Sequence, residues 1–288
     1  MVRKKFDPSL IAIMIGLTLF AIIIILPFYN SVIVSLVTNK EYQESSFILW
    51  PKELTFQSYR FVLRWRNLYI TAGNTLMITL LGVPYTMFIT ITYAYALLKP
   101  IPGRRFFFVF VMFTMFFGGG LVPFYLLMVD TLGLTNNRLA MVVPVGLSIW
   151  NMMLMQGYFR TISPEFEESA RMDGAGEITI FARIVLPLCK PMLATIALFT
   201  AVGFWNEWFN GMLFMRRASQ FPLQLMIRTI LQQTSQILEG VPAAARQEAF
   251  NMGIQMAAVL LTIVPIAIVY PFLQKHFAQG ITLGGVKG

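Results

Sequence analysis

Residues 163–187 read SPEFEESARMDGAGEITIFARIVLP. This charged, helix-forming island between two apolar stretches decides how the rest of the chain is read. Ser163 is suited to cap a helix, Pro164 fits its first turn, and Glu165, Glu167 and Glu168 favour the positive end of the helix dipole. Phe166, Ser169, Ala170 and Asp173 fall at i, i+3, i+4 and i+7, so they share a face. Gly174 and Gly176 end that helix. A second helix over roughly residues 177–186 then leads into Pro187. The spacing predicts a short helical hairpin lying across a membrane surface, and the outer apolar stretches predict the spans that hold it there.

Composition agrees. The chain has 288 residues, is 57% hydrophobic and only 12% charged, with 18 Met and 26 Phe; soluble domains carry about 25% charged residues. The net charge of +9 is what basic residues beside membrane spans provide against anionic headgroups, and does not call for nucleic acid. A single cysteine, Cys189, excludes an intrachain disulfide, and a single histidine, His276, excludes a multi-histidine metal site. The start, Met1-Val2-Arg3-Lys4-Lys5, resembles a secretory signal. However, residues 8–39 form 32 positions without a charge, too long for a signal core, and no A-x-A site follows, so a retained first span is expected.

Six apolar segments are long enough to cross roughly 30 Å of hydrocarbon at about 20 residues each. They lie within 8–39, 67–98 and 106–129, then at 139–159, about 191–215, and 249–274. Their length and continuity predict an all-α polytopic membrane protein with six transmembrane helices, not a barrel. Pro27, Pro84, Pro265 and Pro271 fall inside spans. Arg3, Lys4, Lys5, Lys99, Arg104 and Arg105 favour an inside N-terminus, which places both termini and the hairpin inside. The expected organisation is a first helix and outer loop (1–70), a five-helix core (71–275) carrying the hairpin at 163–187, and a tail (276–288). The glycines Gly118, Gly119 and Gly120 before Pro123 are read as allowing close helix approach, in preference to a break that opens a cavity. The segment 216–247 reads as a polar, flexible outer loop.

A solute path needs polar groups and aromatic surfaces, and span 5 supplies Trp205, Asn206, Glu207, Trp208 and Asn210. An acid inside a span usually faces the interior; alternatively Glu207 snorkels at the outer boundary and the tryptophans form an interfacial belt. Enzyme chemistry is poorly provided for. Asp7, Asp130 and Asp173 lie outside the spans, His276 lies past the last one, and there is no G-x-x-x-x-G-K-[ST] loop to cradle ATP phosphates.

The spacing Glu168-Ser169-Ala170, three residues, Gly174, nine residues, Ile184, one residue, Leu186-Pro187 resembles the EAA loop of ABC importer permeases, with serine at the middle position. Arg171-Met172-Asp173 and Lys190-Pro191 around it resemble the sugar-importer branch. So do Asn74-Thr75-Leu76, Phe113-Thr114-Met115-Phe116-Phe117 with Gly119-Gly120-Leu121, Trp205-Asn206 and the tail from Gly280 to Gly288. The chain is similar over residues 8–288 to MalG-like permeases of the LplC/YtcP type. The resemblance implies the type I (MetI-like) permease fold in a bacterial cytoplasmic membrane. It also implies a homologous second permease, two ATPase subunits and an extracytoplasmic sugar-binding protein. ATP and Mg would belong to the ATPase, with no cofactor in this chain. Glu168, Ser169, Ala170, Asp173 and Gly174 would couple to the ATPase, with Gly284, Gly285, Val286, Lys287 and Gly288 as a second contact. The function implied is oligosaccharide uptake; the alternative is a permease of the same superfamily for a non-sugar solute.

Overall fold

The computed structural model describes residues 8–45, 48–239 and 251–281, and these are helical with no strand among them. The helices are α1 (Pro8–Leu36), α2 (Asn39–Glu44), α3 (Gln57–Leu63), α4 (Arg66–Ala96), α5 (Arg104–Phe116), α6 (Leu121–Leu126), α7 (Leu139–Val142), α8 (Ile149–Phe159), α9 (Glu165–Met172), α10 (Glu177–Ile180), α11 (Leu186–Leu188), α12 (Lys190–Trp205), α13 (Phe209–Phe214), α14 (Leu223–Glu239) and α15 (Asn251–Ile281). Three helical stretches, Ser9–Leu36, Arg66–Ala96 and Asn251–Ile268, are individually long and apolar enough to cross a membrane. Three bent pairs bring the number to six if each is one span.

The chain divides into two compact units, Met1–Arg66 with Ile227–Val264, and Asn67–Met226 with Pro265–Gly288. The stretch Ile227–Val264, assigned from sequence to the 71–275 core, therefore groups with the first helix and its loop. In that first unit α1 is apolar all round and the hydrophobic window of its span is wholly exposed, as a lipid-facing helix requires. Only its last turns pack, where Ile33, Val34 and Val37 meet Ile48, Tyr42 and Met256. Beyond it Thr38 caps α2 through Glu41 N (3.3 Å), and the buried Glu41 carboxylate accepts from Lys52 N at 2.8 Å.

The second unit has its breaks where the sequence is least helical. Among the described residues Gly118–Gly120 make no close helix approach, unlike the reading from sequence. They end α5, with Gly119 and Gly120 at φ +67° and +94°, and a Cβ on Gly118 or Gly119 would meet nothing within 4 Å. The chain turns by 110° there, since only glycine enters this backbone region without cost. Close packing belongs instead to Gly82, whose Cβ would lie 2.4 Å from the Phe204 ring. Span 4 bends by 46° after the short turn Val143–Val145, where Pro144 offers no N–H. Span 5 is shorter than the sequence suggests: α12 ends at Trp205 and residues 206–208 are not helical. Of the segment 216–247, read as a flexible loop, residues 240–247 lie outside the described residues and Leu223–Glu239 form α14. Its Leu223, Met226, Ile227 and Ile230 repeat at i, i+3, i+4 and i+7 and are all buried.

Chain breaks in a membrane leave backbone groups that must find partners. Here α4 supplies them. Thr86 Oγ1 donates to Val145 O (3.0 Å), Thr90 Oγ1 accepts from Ser148 N (3.1 Å), and Thr75 Oγ1 accepts from Leu223 N (2.7 Å). Asn74 Nδ2 donates to both Ser219 O and Phe221 O, at 2.9 and 3.0 Å. The polar residues of α4 thus stitch the second unit together from within.

Candidate functional site: the hairpin between α8 and α12

Helix α9 starts at Glu165 without a side-chain cap. Ser163 contributes its carbonyl, which accepts from Phe166 N at 3.3 Å, and Pro164 O accepts from Glu167 and Glu168 N at 3.0 Å each. The C-terminus is a Schellman motif. Gly174 N donates to Arg171 O (3.0 Å) and Ala175 N to Ala170 O (2.9 Å), with Gly174 at φ +81°. The Ala170 and Ala175 side chains join the same apolar cluster, the hydrophobic contact that accompanies this cap. The glycine is therefore required by backbone geometry, and it fixes the angle between α9 and α10.

The expected shared face divides. Ala170 is 8% exposed and packs inward with Tyr95, Phe159, Ile180 and Val185. Glu168, Ser169, Asp173 and Gly174 are exposed at the tip. Glu167 turns in. It is bound by Lys99, in the turn after α4, and by Arg171 Nη2 at 3.1 Å; Lys99 also lies 3.4 Å from Glu177, and Arg171 Nη2 lies 2.8 Å from Glu177. The Lys99 ammonium stands 4.5 Å over the Tyr95 ring. Burial by itself would lower the Lys99 pKa, but hydrogen bonds to Glu167 and Tyr95 outweigh it and hold the pKa above the ordinary lysine value. Hydrogen bonding to Glu177 likewise raises that of Arg171. Two cations and two carboxylates thus tie both hairpin helices to the end of α4.

Two features were not legible as site residues in the sequence. Met172 and Ile178 are 88% and 84% exposed, and Phe166 on α9 is exposed too. Large apolar side chains held in the open on a charged hairpin are what a contact surface, with protein or membrane, is built from. An apolar residue next to the helix-breaking glycines was the available signal.

The span 5 residues meet at the break between α12 and α13. Glu207 accepts from Asn210 N at 2.8 Å and from Asn210 Nδ2 at 3.0 Å, which starts α13. Asn206 Oδ1 accepts from Gln224 Nε2 at 3.3 Å. Trp205 lines an apolar cavity of about 520 Å³ with Ala72, Gly73, Leu76 and Leu198. Trp208 stands edge-on to Phe209 at 5.6 Å. Both carboxylate oxygens of Glu207 are therefore engaged in holding the turn. Gly284, Gly285, Val286, Lys287 and Gly288 lie outside the described residues.

Residues 75–283 match the family of binding-protein-dependent transport system inner membrane components. Protein LplC of Bacillus subtilis is 38% identical over 272 residues, covering 92% of this chain and 90% of that protein. The polygalacturonan/rhamnogalacturonan transport system permease protein YtcP of Bacillus subtilis is 34% identical, covering 94% and 96%. A crystal structure of a bacterial ABC transporter involved in the import of the acidic polysaccharide alginate contains a chain with a TM-score of 0.84 and 32% identity, covering 95% of this chain and 99% of that one. The chain belongs to the family of inner membrane components of binding-protein-dependent transport systems. It is thus a membrane-embedded transport permease with the fold of an ABC importer subunit.

Proposed function

We propose that this chain forms half of a transmembrane pathway for oligosaccharide uptake. A homologous permease supplies the other half, two ATPase subunits bind ATP and Mg and drive the cycle, and an extracytoplasmic binding protein delivers the sugar. The sugar and polysaccharide transporters among its relatives support this cargo. The hairpin and both termini lie on the cytoplasmic side, as the Lys99, Arg104 and Arg105 cluster favours. Glu168, Ser169, Asp173 and Gly174, with Met172 and Ile178, enter a cleft on the ATPase. Ala170 braces them from behind, and Gly284 to Gly288 make a second contact. The solute passes the break at Trp205–Asn210.

The observation that carries this reading is the anchored hairpin: its inner face is ion-paired to Lys99, just after α4, while Met172 and Ile178 stand in the open. A lever that transmits motion needs a stiff root and a free, partly apolar tip. The test is co-expression with the genomic neighbours, purification in mild detergent and mass spectrometry, followed by uptake in proteoliposomes. A second permease and an ATPase should be recovered, the ATPase should be lost with Glu168→Lys, and an oligosaccharide should enter in an ATP-dependent way. A chain that purifies alone as a homo-oligomer would overturn the proposal. Uptake of an amino acid or phosphate in place of sugar would overturn the cargo alone.

A further inference from the structure

At the end of the second unit away from the hairpin, the turn after α6 is shaped by Gly133 and Asn136, at φ +62° and +54°. It is pinned to the segment after α13: Asn136 N donates to Phe214 O (2.9 Å), and Asn136 Oδ1 accepts from Arg216 N (2.7 Å). This places Arg138 over a recess of about 390 Å³, lined also by Met77, Leu81, Thr135, Asn137 and Gln220. That volume is within the roughly 300–1,000 Å³ of small-molecule sites. The backbone of Gln220 is clamped on both sides, because Asn74 Nδ2 binds the carbonyls of Ser219 and Phe221. Met77 lies 19 residues before the end of α4, so at 1.5 Å per residue the recess is roughly 30 Å from the hairpin root. That distance is the thickness of the hydrocarbon layer and puts the recess on the opposite face.

Two polar atoms in this recess are buried without a hydrogen-bond partner, Arg138 Nε and Gln220 Oε1. The guanidinium Nη1 has only the Met77 sulfur, at 3.8 Å, and no lining residue is acidic. A buried guanidinium Nε–H without an acceptor and an amide oxygen without a donor each cost free energy that a ligand could recover. The missing groups are complementary: an anionic acceptor for Arg138 and a hydroxyl donor for Gln220.

We propose that this recess is an entry subsite for a carboxylated sugar, with the uronate carboxylate on Arg138 and a ring hydroxyl donating to Gln220. This rests on the sugar-import reading and narrows it to acidic oligosaccharides. Guanidinium–carboxylate recognition is the geometry arginine provides best. Neutral sugars satisfy Gln220 but leave Arg138 unpaired, so the site discriminates by charge.

The test is calorimetric titration of the co-purified permease–ATPase complex in nanodiscs, without the binding protein, with trigalacturonate and with maltotriose. Trigalacturonate should bind at least tenfold more tightly and weaken with added salt. Arg138→Gln should abolish the preference, with Arg138→Lys retaining part of it; unchanged thermal unfolding midpoints would show that both variants are folded. Equal binding of the two sugars, no trigalacturonate binding, or undiminished binding by Arg138→Gln would overturn the subsite. Loss of binding-protein capture by Arg138→Gln without any sugar binding would reassign the recess to a protein contact. ATPase recovery through the hairpin does not involve Arg138, so its success or failure reports separately on the importer reading.

Discussion

Lys99 and Glu167 form an ion pair in which the two side chains are only 17% and 22% exposed, joining the end of α4 to the first helix of the hairpin. They are 68 positions apart in sequence. With the packing of Ala170 and Ile180 beside Tyr95, the pair lets a force on the exposed tip reach the end of α4.

Replacing Lys99 with alanine leaves Glu167 and Glu177 close together with Arg171 as their remaining cation. A lost hydrogen bond to a charged group is worth about 1.5–3 kcal/mol. Hydrogen exchange should show that loss in the amides of 165–180, and Lys99→Arg, which keeps the cation between Glu167 and Glu177, should avoid more than half of it. Unchanged exchange in Lys99→Ala would mean that apolar packing alone holds the hairpin.

The same pair fixes a pH dependence. The folded pKa of Lys99 is above its ordinary value of 10.5. Its contribution is complete below that value and is lost as pH rises through the folded pKa. Hairpin protection should therefore persist up to pH 10.5 and fall only above it, as pH rises through the folded pKa. Lys99→Arg, which stays protonated, should remove this alkaline loss; an identical profile in the variant would place the titration elsewhere.

Gly174 occupies the left-handed position of the Schellman cap. An L-residue there costs about 1–2 kcal/mol. Gly174→Ala should lower the thermal midpoint and weaken ATPase recovery, and Gly174→Asn should do less harm, because asparagine tolerates this region better. Equal effects of the two would argue for a steric role at the interface.

Met172→Glu and Ile178→Glu change side chains that touch little within the chain. Stability should move by less than about 0.5 kcal/mol, while co-purification of the ATPase drops at least tenfold. Full ATPase recovery by both would exclude this apolar tip from the interface.

Gly82→Val drives a branched side chain into the Phe204 ring. Overpacking of this kind costs about 1–3 kcal/mol, visible as a lower yield of monodisperse protein. Gly82→Val with Phe204→Ala should restore part of it, and additive losses would show that the two sites do not touch.

The sequence by itself determined the helical class, the number of apolar segments and the position of the hairpin, because each depends on local composition and on i, i+3, i+4 spacing. It also marked Glu168, Asp173 and Gly174, whose exposure and turn geometry follow from neighbours in the chain. Tertiary structure decided the rest. Ala170 faces inward only because α4 and α8 offer it a core. Glu167 and Glu168 are chemically alike in sequence, yet one is claimed by Lys99 and the other left in the open. For Glu207 the sequence leaves open an interior-facing acid or one that snorkels at the boundary; the fold ends α12 at Trp205 and engages both its oxygens with Asn210. The glycines at 118–120 break a helix, whereas Gly82 packs against a ring, since the neighbour that meets a missing Cβ comes from a distant part of the chain and leaves no mark in local sequence.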